Sequence, residues 1–134
     1  MLDAIPKNGQ RWLICGGRNF ADAEMFNSAM GDLIRLRGCP NVIIHGGANG
    51  ADTLAELWAE KMALGRHRFP AQWDKHGKAA GPIRNQAMID KGKPQFVIAF
   101  PGGRGTADMI RRAREAGIDV AEIRAALKME GRDG

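Results

Sequence analysis

The chain of 134 residues contains no tyrosine and only two cysteines, and aromatic residues make up 6% of it. So little aromatic surface argues against a protein that stacks successive bases of a single strand. Cys15 and Cys39 have neither the spacing of a metal site nor the number needed for a disulfide framework. Cys15 lies in an apolar run and reads as a buried, reduced thiol. No apolar stretch approaches the ~20 residues that span a bilayer. The opening "MLDAIPKNGQ" lacks the basic start and apolar core of a signal peptide. A cytoplasmic protein with no membrane partner is therefore expected. Two phosphate-binding fingerprints are missing as well. The absence of GxxxxGK[ST] argues against a P-loop nucleotidase, and the absence of GxGxxG after the first apolar run argues against a standard dinucleotide dehydrogenase.

Glycine is abundant instead: 18 residues, about twice the ~7% background. The excess gathers in three loops, Gly16-Gly17, Gly46-Gly47-Gly50 and Gly102-Gly103-Gly105. Glycines massed at strand ends signal tight turns or close backbone approach to a ligand. The formal net charge of +5 suits a pocket for a phosphorylated small molecule as well as a nucleic-acid surface.

Apolar runs and amphipathic segments alternate along the chain. "RWLICGG", "NVIIHGG" and "QFVIAF" read as buried strands, "HRF" as a weaker third strand and "IDVAEI" as a fifth. Helices are expected from Asp22 to about Arg37 and from Ala51 to near Gly65. Two more are expected, one starting near Pro82 with Ile83, Ala87 and Met88 inward and one from about Thr106 to Ala116. "PAQWDKHGKAAG" reads as a long loop. The alternation predicts an α/β fold, a single-domain Rossmann-like three-layer sandwich around a mostly parallel sheet of about five strands. Residues 1–10 form an N-terminal extension, 11–123 the domain and 124–134 a tail.

In an open sheet of this kind ligands bind beyond the carboxyl ends of the strands, and every unusual stretch maps there: "GGRNF", "HGGANGAD", "WDKHGKAAGPIRN" and "PGGRGT". Helix amino termini offer unpaired N–H groups and partial positive charge. The loops ending at Ala51 and at Thr106 are thus both candidate anion cradles, and Thr106 is a candidate helix cap or phosphate donor. The ligand-binding candidates are Gly16, Gly17, Arg18, Gly46, Gly47, Gly50, Trp73, Lys78, Arg84, Asn85, Pro101, Gly102, Gly103, Gly105 and Thr106. Among them Arg84 suits a bidentate phosphate contact, and Trp73 either stacks on a base or anchors its loop. His45 reads as a hydrogen-bonded core histidine, and Arg111, Arg112 and Arg114 as a solvated helix face.

These motifs, in this order from about Arg11 to Ile123, resemble the small bacterial and phage YspA-type proteins of the SLOG superfamily. That superfamily also contains the Lonely Guy (LOG) enzymes and the DNA-processing Smf/DprA proteins. The resemblance implies a Rossmann-like fold that binds nucleotides or their derivatives, and the dimeric LOG relatives imply a possible homodimer. LOG enzymes split a base from ribose 5′-phosphate with a "PGGxGTxxE" turn and a "GxxxRK" arginine. In this chain Arg84 matches the arginine, Asn85 replaces the lysine, and Met109 stands where the catalytic glutamate belongs. A thioether neither stabilises a positively charged sugar nor activates water. Asp108, about 100° around the helix, and Asp52 are the remaining catalytic candidates. Binding or sensing of a nucleoside phosphate or an ADP-ribose-like ligand is the expected function. Hydrolysis of a nucleoside monophosphate is the second reading and single-stranded DNA binding the third. No metal and no cofactor are expected.

Overall fold

The computed structural model describes residues 10–124, so the expected extension and tail lie outside it apart from Gln10 and Arg124. Five strands form one all-parallel sheet: β1 (Arg11–Cys15), β2 (Val42–His45), β3 (Gly65–Arg68), β4 (Phe96–Ala99) and β5 (Asp119–Glu122), in the order β3-β2-β1-β4-β5. The helices are α1 (Ala23–Arg37), α2 (Ala51–Lys61), α3 (Trp73–His76), α4 (Ala80–Asp90) and α5 (Arg104–Glu115). The chain moves one way from β1 to β3, then crosses back to β4. With right-handed crossovers this sends α1 and α2 to one face and α4 and α5 to the other. The expected Rossmann-like α/β architecture is what forms.

Strand parity divides the core accordingly. Trp12, Ile14, Ile43, Phe96 and Ile98 pack under Phe26, Met30, Ala51, Ala55 and Ala59. Leu13, Cys15, Ile44, Val97 and Ala99 meet Met88, Ile89, Met109 and Ala113 on the opposite face. Each large apolar side chain buried this way contributes roughly 1.5–3 kcal/mol. Asp22 caps α1, its Oδ1 accepting from the Met25 amide at 2.9 Å, and Gly38 ends that helix. Phe100, just past β4, stacks between Phe20 and Phe26 with centroids 5.2 and 4.8 Å away, so the chain stays buried to the last residue before Pro101.

Four local expectations change. The third strand is Gly65–Arg68 rather than "HRF", an exposed edge whose Arg66, His67 and Arg68 discourage pairing with another chain. The long loop contains α3 and a 3-10 turn, Gly77–Ala79, and α4 begins at Ala80 with Pro82 in its first turn. Ile83 is exposed rather than inward. It lies five residues before Met88, about 140° around the helix, while Ala80, Asn85, Met88 and Ile89 form the buried face. Finally, α5 starts at Arg104 behind a Gly103 cap, so Thr106 is its third residue and not its cap.

The loops after β1, β2 and β4 interlock at the carboxyl edge. The Gly17 amide donates to the Pro101 carbonyl at 2.9 Å, and the Ala51 amide donates to the Gly17 carbonyl at 3.2 Å. A Cβ on Gly16 would lie 2.6 Å from that of Ala51, and one on Gly17 would lie 3.1 Å from the Gly102 Cα. Gly50 has φ +79° and rests on the Gly17 and Arg18 carbonyls. Gly50→Ala therefore combines left-handed strain with a backbone clash and is expected to cost about 2–4 kcal/mol. Gly103→Ala, whose Cβ meets no atom within 4 Å, should be close to neutral; urea denaturation of the two variants checks the contrast.

Candidate functional site

Strand order reverses between β1 and β4, the switch point where such sheets bind ligands. A chain of polar contacts laces this edge. Arg84, from the first turns of α4, donates through Nη1 to the Gly46 carbonyl at 2.8 Å and to the Phe69 carbonyl at 3.4 Å. Its Nε donates to Asn85 Oδ1 at 3.0 Å. Asn85 Nδ2 donates in turn to the Gly105 carbonyl at 3.2 Å and to Asp108 Oδ2 at 3.0 Å. Burial pulls the Arg84 pKa below the ordinary guanidinium value, Asp52 opposes that pull, and the like charge of Arg18 adds to it. Arg84 is thus largely committed to protein acceptors rather than free on the surface.

The two helix starts expected to cradle anions differ. At α2 the first amide, from Ala51, is spent on the Gly17 carbonyl. The next residue, Asp52, places a buried carboxylate there, 7% exposed, whose Oδ2 accepts from the Ala48 amide at 3.1 Å. A negative side chain already complements that end of the helix dipole. Gly46, Gly47 and Gly50 accordingly make room for protein atoms: Gly46 for Arg84 and Asp52, Gly47 for Arg68, and Gly50 for the Gly17–Arg18 backbone.

At α5 nothing comparable occupies the start. Gly103 provides no side-chain cap, the first turn has no acidic residue, and neither Gly103 nor Gly105 has an atom within 4 Å of an added Cβ. Thr106 is 8% exposed, and among the described residues its hydroxyl has no hydrogen-bond partner. With Pro101, Gly102, Gly103 and Glu122 it lines a cavity of about 470 Å³. Motif spacing does not single out Glu122. Its signal is positional, since it pairs in register with Ala99 at the carboxyl end of β5.

The carboxylate candidates are unequal too. Burial alone would push Asp108 up, but hydrogen bonds from Arg112, Asn85 and Arg111 outweigh it and hold the carboxyl below its usual range. Both its oxygens carry donors, at 2.8–3.0 Å. Arg112 is therefore part of a joint to α4, also donating to Gln86 at 2.9 Å, and not of a purely solvated face. Met109 is buried in the same core cluster as Met88 and Leu13, where a carboxylate would be desolvated. His45 is the expected core histidine. Its Nδ1 accepts from the Gly47 amide at 3.0 Å, and its Nε2 meets Glu56 at 2.7 Å. Hydrogen bonding to His45 is the main cause that lowers the Glu56 pKa. Burial, helped by the Asp52 charge, pushes the Cys15 thiol far up, which makes it a poor nucleophile. Trp73 is 47% exposed at the start of α3, with the Arg18 guanidinium 5.4 Å from its ring centre. Lys78 is exposed in the 3-10 turn.

Burial raises the Asp52 pKa above its ordinary 3.8, against the Ala48 amide and the Arg84 charge. Folding therefore makes the neutral acid more favourable than it is in the unfolded chain. The stabilisation this provides is complete below 3.8 and is lost as the pH rises through the raised folded value. Asp52→Asn, which cannot ionise, should raise the melting temperature at pH 7 and change it much less at pH 3.5. Equal shifts at the two pH values would contradict this.

A model of the YspA, cpYpsA-related SLOG family matches residues 11–76. Gene 61 protein of Mycobacterium phage D29 is 37% identical over 118 residues, which cover 83% of this chain and 94% of that protein. A crystal structure of Acinetobacter baumannii MurG superposes with a TM-score of 0.53 at 12% identity, over 84% of this chain and 34% of that one. The chain thus spans about a third of that protein's length, and this likeness concerns the fold alone. With the parallel sheet, the interlocked glycine loops and a relative matched over nearly its whole length, the chain belongs to the YspA, cpYpsA-related SLOG family.

Proposed function

We propose that the protein binds a nucleotide or a nucleotide-derived ligand, a nucleoside phosphate or an ADP-ribose-like molecule, with a phosphate at the first turn of α5. The observation that carries this reading is Thr106. Its hydroxyl makes no hydrogen bond among the described residues, is not sealed off from solvent, and lines a cavity at the uncapped amino end of a 12-residue helix. A phosphate there would accept from the hydroxyl and from the free amides of the first turn. Open space beside Gly103 and Gly105 lets it approach the backbone. The cavity falls within the range of about 300–1,000 Å³ common for small-molecule sites. Arg18, Trp73, Arg84 and Lys78 bring positive charge and an aromatic face to the same edge of the sheet.

Binding is better supported than glycosidic hydrolysis. Met109 is a core residue, Asp108 is saturated by donors, and Asp52 sits at the other helix start. Titration calorimetry with nucleoside mono- and diphosphates and with inorganic phosphate tests the proposal, and saturable binding is expected. Thr106→Val keeps the β-branched shape and breaks no protein hydrogen bond, so its unfolding free energy should stay within about 0.5 kcal/mol of the wild type. Affinity should fall about tenfold, the loss of one hydrogen bond. No binding to any member of the panel overturns the reading, and unchanged affinity in Thr106→Val removes Thr106 from the site.

A further inference from the structure

Asn85 is 4% exposed and uncharged, and it stands behind α5 rather than among the residues lining the cavity in front of it. Every polar atom of its side chain is used. Oδ1 accepts from Arg84 Nε at 3.0 Å, while Nδ2 donates to the Gly105 carbonyl at 3.2 Å and to Asp108 Oδ2 at 3.0 Å. Arg84 is itself fixed by the Gly46 and Phe69 carbonyls. The amide is therefore held in one orientation by its neighbour on α4 and by two groups of α5.

The bond to Gly105 has a consequence at the opposite side of the helix start. The Gly105 carbonyl and the Thr106 amide belong to one planar peptide unit. A donor on that carbonyl fixes the plane and polarises it, so the N–H at its other end becomes a stronger donor. That N–H is the third of α5, among those with no intrahelical acceptor, and Gly103 supplies no side-chain cap for it. It belongs to the residue whose unpartnered hydroxyl lines the cavity. We infer that Asn85 is a positioning residue for the anion site, acting through the Gly105–Thr106 peptide and without touching the ligand. The inference rests on the phosphate reading of the α5 start and names the device that tunes it.

A purely structural Asn85 would only join α4 to α5, as Gln86 does through Arg112. The two roles separate in Asn85→Asp and Gln86→Ala. Asn85→Asp keeps an acceptor for Arg84 but loses the donor to Gly105. Its Thr106 amide proton should move upfield without ligand, and its affinity for inorganic phosphate should fall about three- to tenfold. Gln86→Ala loosens the joint between the helices and should leave the Thr106 signal and the affinity unchanged. Asn85→Gln should recover part of the affinity. Wild-type affinity in Asn85→Asp, or an equal loss in Gln86→Ala, overturns the inference. If Asn85→Asp does not fold, a phosphate titration of the wild type decides: the Asn85 side-chain amide signals should shift together with the Thr106 amide, and unmoved signals count against it. A wild-type protein that binds no phosphate sinks the functional reading instead, while the ligand-free Thr106 shift in Asn85→Asp still tests the positioning contact.

Discussion

The carboxyl edge of this protein depends on backbone meeting backbone where the loops after β1 and β4 touch. The Gly17 amide reaches the Pro101 carbonyl only because neither Gly17 nor the adjacent Gly102 carries a Cβ at their contact. The Gly17 carbonyl in turn receives the first amide of α2. One residue thus links three loops across the point where strand order reverses. In many parallel sheets a crevice at this position stays open for a ligand. Here it is closed by the chain itself, and free donors remain further along, at the start of α5.

Two helix starts at the same edge have acquired opposite electrostatic characters. The α2 end carries its own buried carboxylate, Asp52, and is internally neutralised. The α5 end carries glycine, arginine, glycine and threonine, and its partial positive charge has no acidic side chain in the first turn to meet it. Behind it, Arg84 and Asn85 convert buried polarity into fixed geometry, because Arg84 Nε and Nη1 and Asn85 Nδ2 each find a carbonyl or carboxylate within hydrogen-bonding distance. Such networks stabilise when complete and are costly when one member is lost.

Much of this was legible from residue order. The alternation of β-branched runs with amphipathic segments predicts the parallel sheet, and the position of "PGGRGT" after "QFVIAF" predicts the loop that opens α5. The motif could not reveal which glycines face open space and which serve packing. Gly16, Gly17, Gly46, Gly50 and Gly102 face protein atoms, whereas Gly103 and Gly105 face open space. For all but Gly102, whose nearest neighbour is the Thr106 side chain, that division is set by atoms more than thirty residues away in sequence. Arg84 reads from sequence as a phosphate contact, but the carbonyls that engage it belong to Gly46 and Phe69, whose nearness arises only when β2 and β3 align. Ile83 is misplaced for a related reason: the inward face of α4 is chosen by Asn85 and its partners and not by apolar spacing alone.

The sequence by itself determined the fold class, the strand edge on which the glycine-rich loops gather and the methionine at position 109. These are local facts, set by the period of apolar residues and by the identity of single side chains. Tertiary structure decided that Met109 is core, that Asp108 is saturated, that Asp52 fills one helix start and that, among the described residues, the Thr106 hydroxyl at the other has no partner. Burial and hydrogen-bond partnership depend on which distant segments the sheet brings within about 3 Å of one another, and no spacing along the chain encodes that distance.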